Sequence, residues 1–157
     1  MDYRHLMGQA IAQARKGILD GQTPFGAVIA NDRGDIIVAA NNSVRADCDS
    51  TAHAEVNAIR LACRKVCRID LSGYMMVTTC EPCPMCAAAV HWARLDEVVF
   101  GATIDHAAGA GFHELTLACR TLYETGGSQV RIREGVLEDE CRKLFEEWRL
   151  GRFPTPY

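Results

Sequence analysis

Helix-period stripes alternate with short apolar runs along this chain, and that alternation leaves little choice of architecture. Met7, Ile11, Ala14 and Ile18 recur at i, i+4, i+7 and i+11, one face of a first helix. Residues 25–30 and 35–40 are apolar runs joined by Asn31-Asp32-Arg33-Gly34, a hairpin signal. Polar residues 41–52 read as a loop. Val56, Ile59, Cys63 and Val66 stripe a second helix, with His53 at its start. Residues 74–79 read as a buried strand and 80–84 as a turn. Met85, Ala88, Ala89 and Trp92 share one side of a third helix. Residues 97–102 follow as a strand, the Ala- and Gly-rich stretch 105–112 as a flexible loop, 113–125 as a helix and 129–134 as a last strand. Leu137, Cys141, Leu144 and Trp148 mark the final helix, with Glu138, Asp139 and Glu140 favourably placed in its first turn. The order α-β-β-α-β-α-β-α-β-α predicts an α/β fold, one central sheet with helices on both faces.

The 157 residues suit a single domain, 1–157, ending in a non-helical tail at 151–157 where Pro154 and Pro156 block a helix. The longest apolar run is six residues, 85–90, too short to span a bilayer. The first residues, Met-Asp-Tyr-Arg-His, hold no apolar signal core, so a cytoplasmic protein is expected. Seventeen basic against twenty acidic residues give a net charge of −3, which disfavours a folded nucleic acid as the main substrate. Eight cysteines in a chain of this kind read as metal ligands or catalytic thiols where clustered and as small core residues where isolated. Cys63, Cys67, Cys119 and Cys141 fall on predicted helices and are expected to be buried thiols; Cys48 lies in a loop near His53.

Two motifs about thirty residues apart carry the chemistry: His53-Ala54-Glu55 and Pro82-Cys83-Pro84-Met85-Cys86. Taken alone, Cys83-x-x-Cys86 fits a redox pair or a zinc site. Its spacing puts both sulfurs at the first turn of one helix, where unpaired backbone N–H groups stabilise thiolates. His53 supplies a third ligand of the kind zinc takes, and three ligands leave the fourth tetrahedral position open, as in a catalytic site. Glu55, two residues after His53, is placed to move a proton there. Two thiolates neutralise much of the metal's charge, so a nearby general base is needed. H-x-E followed by P-C-x-x-C is the known signature of the zinc deaminases.

The resemblance extends beyond the signature. Residues 24–29 (Pro-Phe-Gly-Ala-Val-Ile), 51–59 (Thr-Ala-His-Ala-Glu-Val-Asn-Ala-Ile) and 79–86 (Thr-Cys-Glu-Pro-Cys-Pro-Met-Cys) resemble the cytidine deaminase superfamily, in the branch of bacterial guanine deaminases and tRNA adenosine deaminases. It covers roughly residues 5 to 113. The resemblance implies a three-layer fold with a five-stranded mixed sheet, one Zn2+ per subunit held by His53, Cys83 and Cys86, and a homodimer.

His91-Trp92-Ala93-Arg94 after the cysteine motif is similar to guanine deaminases rather than to the tRNA enzymes. The resemblance implies a substrate pocket that includes Phe25, Asn42, Ala54, Trp92, Glu114 and Tyr157. In it Trp92 packs on a purine, Asn42 reads the base edge, and Glu114 joins Glu55 in moving protons. The tail ending at Tyr157 is similar to an aromatic lid, in some relatives swapped between subunits. The expected reaction is hydrolytic deamination of a small-molecule purine, guanine first. The tRNA wobble adenosine, guanosine or a related amino-heterocycle, and a zinc-stabilised binding module without turnover remain as alternatives.

Overall fold

The computed structural model describes residues 1–151 and residue 156. Helix α1 (Tyr3–Leu19) leads into a hairpin of β1 (Gly26–Asn31) and β2 (Ile36–Asn41). A single turn, α2 (Val44–Asp47), precedes α3 (Ala54–Val66), β3 (Tyr74–Cys80), α4 (Pro84–Trp92) and β4 (Glu97–Ala102). Then come α5 (Ile104–Gly109), α6 (Cys119–Gly126), β5 (Arg131–Arg133) and α7 (Glu138–Arg149). The sheet order is β2-β1-β3-β4-β5. β1 is antiparallel to both β2 and β3, whereas β3, β4 and β5 run parallel, so the sheet is mixed as expected.

Both faces of this sheet are covered. Val28, Ala30, Met75, Val77 and Val99 point into a core with α1 and α7, where Leu6, Met7, Ile11, Leu144, Phe145 and Trp148 meet them. The alternate residues Ala27, Ile29, Met76, Val98 and Phe100 point into a second core with α3, α4 and α6. Strands buried on both faces read as near-continuous apolar runs, which is why they stand out in the sequence. Two glycines set how closely the helices sit. A Cβ at Gly26 would collide with the backbone oxygen of Ala10 in α1, and one at Gly101 with the Cys141 side chain of α7.

The outer edge of β2 is blocked by side chains from α3. The Lys65 ammonium donates to the Ile37 carbonyl at 2.7 Å, and the Asn57 amide donates to the Asn41 carbonyl at 3.1 Å. A lysine on an exposed edge is a common defence against pairing with another chain.

The structure corrects four local expectations. Most of the stretch expected as a flexible loop at 105–112 is helical in α5. Its alanines are strong helix formers, and Thr103 and His106 form a capping box at its start. The helix expected over 113–125 starts only at Cys119, because Phe112 and Glu114 are engaged in the core and the site described below. The loop 41–52 contains the turn α2. Cys67 is an exposed cap in the left-handed region (φ 54°), and Cys63 is only half-buried, whereas Cys119 and Cys141 are buried thiols as expected. Among the described residues no helix is long and apolar enough to cross a membrane.

Candidate metal centre and substrate cavity

His53 is the N-cap of α3 and Cys83 the N-cap of α4, both in extended backbone that turns the chain into its helix. Their carbonyls accept the first helical bonds, from Asn57 N at 2.9 Å and Ala87 N at 2.8 Å. Pro84 at the first position of α4 loses nothing, since its missing N–H would have had no partner there. Cys86 lies in the same first turn. The two helices pack on one face of the sheet with their starts together, so three residues thirty positions apart become neighbours. Nδ1 of His53 lies 3.7 Å from the Cys83 sulfur and 3.5 Å from the Cys86 sulfur.

Those distances fit a metal. Zinc with Zn–S and Zn–N bonds of ordinary length at tetrahedral angles separates a sulfur from a nitrogen by about 3.6 Å. The three ligand atoms lie within 4.8 Å of one another and form the one such group of His, Cys, Asp and Glu side chains among the described residues. The electrostatics agree. The Cys83 thiol is pulled down to about 4, first by the hydrogen bond from Cys86 and, against the cost of burial, by His53. Cys86 is raised because it donates that proton and because it is buried. Burial opposes charge on His53, yet its hydrogen bond to Cys83 and the nearby Glu55 carboxylate leave it raised overall.

Glu55 is buried in the first turn of α3, one residue past Ala54. Its Oε1 accepts from the Thr78 hydroxyl of β3 at 3.2 Å, and its Oε2 lies 3.6 Å from the Cys86 sulfur. Burial pushes its carboxyl upward, with the His53 charge opposing. A small cavity opens beside it, lined by Phe25, Asn42, His53, Glu55, Cys80, Glu81, Cys83 and Glu114. Glu114 is raised too, by burial and then by the Cys83 charge, with His53 and His113 acting against the rise. Phe25 forms an apolar wall, backed edge-on by Phe112 with ring centres 5.0 Å apart. Asn42 is buried, and its side-chain oxygen accepts from Val44 N at 3.1 Å, which fixes the amide at the head of α2.

Six of the expected site residues, Phe25, Asn42, His53, Glu55, Cys83 and Glu114, therefore line this one cavity, and Cys86 completes the metal triad behind it. Two others do not line it. Ala54 is fully buried in the core between α3 and the sheet. Trp92 is 80% exposed and lines a separate groove with His91, Leu117, Leu122 and Tyr123. It follows Cys83 by nine residues, which carries it about 13 Å along α4 and half a turn away from the metal triad. Tyr157 lies outside the described residues, as does the rest of the expected lid apart from Gly151 and Pro156. Sequence reasoning gave no role to Cys80 and Glu81, which both face the cavity. Their signal was position: they stand where β3 ends, and open α/β sheets bind ligands at the carboxyl ends of strands. The Cys80 thiol donates to the Thr103 carbonyl at 3.4 Å, and burial pushes it well up.

A family model of the cytidine and deoxycytidylate deaminase zinc-binding region matches residues 1–102. The chain belongs to this family. It is a zinc-dependent aminohydrolase, and the His53, Cys83 and Cys86 cluster is positioned to bind one metal ion. Within the family it is 43% identical to guanine deaminase of Bacillus subtilis over 115 residues, 73% of each protein. It is 38% identical to the tRNA-specific adenosine deaminase of the same organism over 135 residues, 86% of this chain and 81% of that one. The solved guanine deaminase from Nitrosomonas europaea superposes with a TM-score of 0.86 at 30% identity, covering 92% of this chain and 83% of that one. These deaminases share the fold and differ in substrate.

Proposed function

We propose that this deaminase hydrolyses guanine to xanthine and ammonia. The observation that carries the reading is Glu114, a second carboxylate in the same cavity as Glu55 and the metal triad. The N1–H and 2-amino groups of guanine are both donors, and a carboxylate facing them accepts both. Adenine offers an acceptor at N1 and leaves half of that contact unmade. Asn42 suits the lactam edge because its amide both donates and accepts, and Phe25 supplies a flat apolar contact for the ring.

His53, Cys83 and Cys86 would hold zinc, which would supply a water acidified for attack. Glu55 is the group that takes a proton from the attacking water as oxygen adds to C2 and delivers it to N3. Thr78 aims the Glu55 carboxylate for this transfer. The proton still on the added oxygen then passes through Glu55 or Glu114 to the amine, the C2–N bond breaks as that oxygen becomes the C2 carbonyl, and ammonia departs.

The longer match to the tRNA adenosine deaminase, 86% of this chain, favours the wobble adenosine of tRNA as the second reading. Ammonia release from guanine, guanosine, cytosine, adenosine and a tRNA anticodon stem separates the two. Guanine is expected to be the best substrate by at least tenfold, and a preference for the anticodon stem overturns the assignment. A Glu114→Gln variant is expected to lose guanine turnover while keeping zinc.

We also place the homodimer contact at the groove around Trp92, whose exposed indole, with Leu117 beside it, lies on the outer side of α4. Sedimentation equilibrium of Trp92→Glu should show a monomer where the wild type is a dimer; an unaltered dimer removes this face from consideration. The eight free thiols of the structure fit a reducing cytoplasm.

A further inference from the structure

We propose that Glu81 is a positioning residue: its single carboxylate caps two helices at once and thereby holds Glu114 against the cavity. Its Oε1 accepts from Cys119 N at 2.9 Å, and its Oε2 accepts from Ile104 N at 3.2 Å. Cys119 is the first residue of α6 and Ile104 the first of α5. The leading N–H groups of a helix have no partner within it, and an anion there also meets the positive end of the helix dipole. One side chain therefore satisfies the first N–H of both helices. Glu81 is itself tied to the sheet through its own N–H, which donates to the Ala102 carbonyl at 2.8 Å.

What lies between the two clamped amides gives the arrangement its consequence. The segment 110–118 joins α5 to α6 and carries Glu114. Ala110 and Phe112 anchor it in the core, Phe112 packed on Phe25, Phe145 and Trp148. His113 and residues 115–118 are exposed. Beyond these two anchors the segment has few contacts of its own, and its ends follow the short helix α5, which begins at the Glu81 carboxylate, and the start of α6. Glu81 fixes both beginnings relative to the loop that carries Cys83, two residues further on. The Glu114 wall is in this way registered to the metal triad through one carboxylate.

A glutamine in its place keeps one acceptor oxygen and turns an amide donor toward the other N–H, so one of the two links breaks while size is conserved. The inference rests on Glu114 facing the substrate, and a double-mutant cycle tests it separately from the choice of substrate. Deamination is measured for wild type, Glu81→Gln, Glu114→Gln and the double variant. The substrate is whichever of guanine, guanosine and the anticodon stem the wild type turns over best, and zinc content is measured in parallel. Misplacement on this scale costs up to about 10²-fold, so Glu81→Gln is expected to lower kcat/KM by about 10-fold to 10²-fold with zinc retained. In the Glu114→Gln background the same substitution is expected to change kcat/KM by less than about twofold, because the group it positions is already gone. Equal fold losses in both backgrounds, or no loss in either, overturn the positioning role. Failure on guanine alone overturns only the proposed substrate. If Glu81→Gln does not fold, Cys119→Pro enters the same cycle. Proline is favoured at the first helical position and deletes the N–H that Glu81 caps, while Glu81 itself stays intact.

Discussion

At the residue scale, His53, Glu55, Cys83 and Cys86 divide into two kinds, and substitution separates them. Glu55→Gln conserves volume and still accepts the Thr78 hydroxyl, so the fold and the metal triad are expected to survive. What it loses is the acid–base group, whose removal typically costs about 10²-fold to 10⁴-fold. Cys83→Ala is expected to behave in the opposite order, losing zinc first and stability with it, since the metal joins the starts of α3 and α4. Metal analysis and a thermal melt on the two purified variants check this. Tight stoichiometric zinc in Cys83→Ala, or turnover within threefold of wild type in Glu55→Gln, contradicts the assignment. These four residues were legible in the sequence because metal ligation and proton transfer demand particular side chains at particular helix positions. Glu81 was not, because its role depends on α5 and α6, which reach its carboxylate only once the chain has folded.

At the element scale, the central strands β1, β3 and β4 were legible for the same reason the fold is stable. A strand buried on both faces has no polar face to interrupt its run. The helices on the outside were legible as stripes where a whole face is buried, as in α1. The stretch from 103 to 119 was misread because its structure is decided elsewhere: by the Thr103–His106 cap, by Phe112 in the aromatic cluster and by the Glu81 clamp. Close approach of elements yields a prediction of its own. Gly26 lets α1 lie directly over the start of β1, and a methyl group there meets Ala10 and Ala14 backbone rather than a yielding side chain. Gly26→Ala is expected to destabilise the protein by about 1–3 kcal/mol, the usual range for overpacking. A urea midpoint unchanged from wild type would show that α1 has room to move.

At the scale of the whole molecule, charge is distributed in a way the net value of −3 conceals. Glu55, Glu81, Glu114 and the Cys80 and Cys83 sulfurs gather around one cavity, whose wall contains no lysine or arginine among the described residues. Four helices begin around this cavity: α3 at His53, α4 at Cys83, and α5 and α6 on the Glu81 carboxylate. Their backbone N–H groups and dipoles, together with the metal, are what offset the anions. Such dipoles belong to the peptide chain. They carry no counterion, do not titrate, and lie within a few ångströms of the groups they serve, well inside the reach of ionic screening. The interior field of this enzyme is therefore indifferent to the salt around it. Turnover of an uncharged base should stay level as ionic strength climbs, in the same ammonia assay where a polyphosphate substrate would fall away steeply.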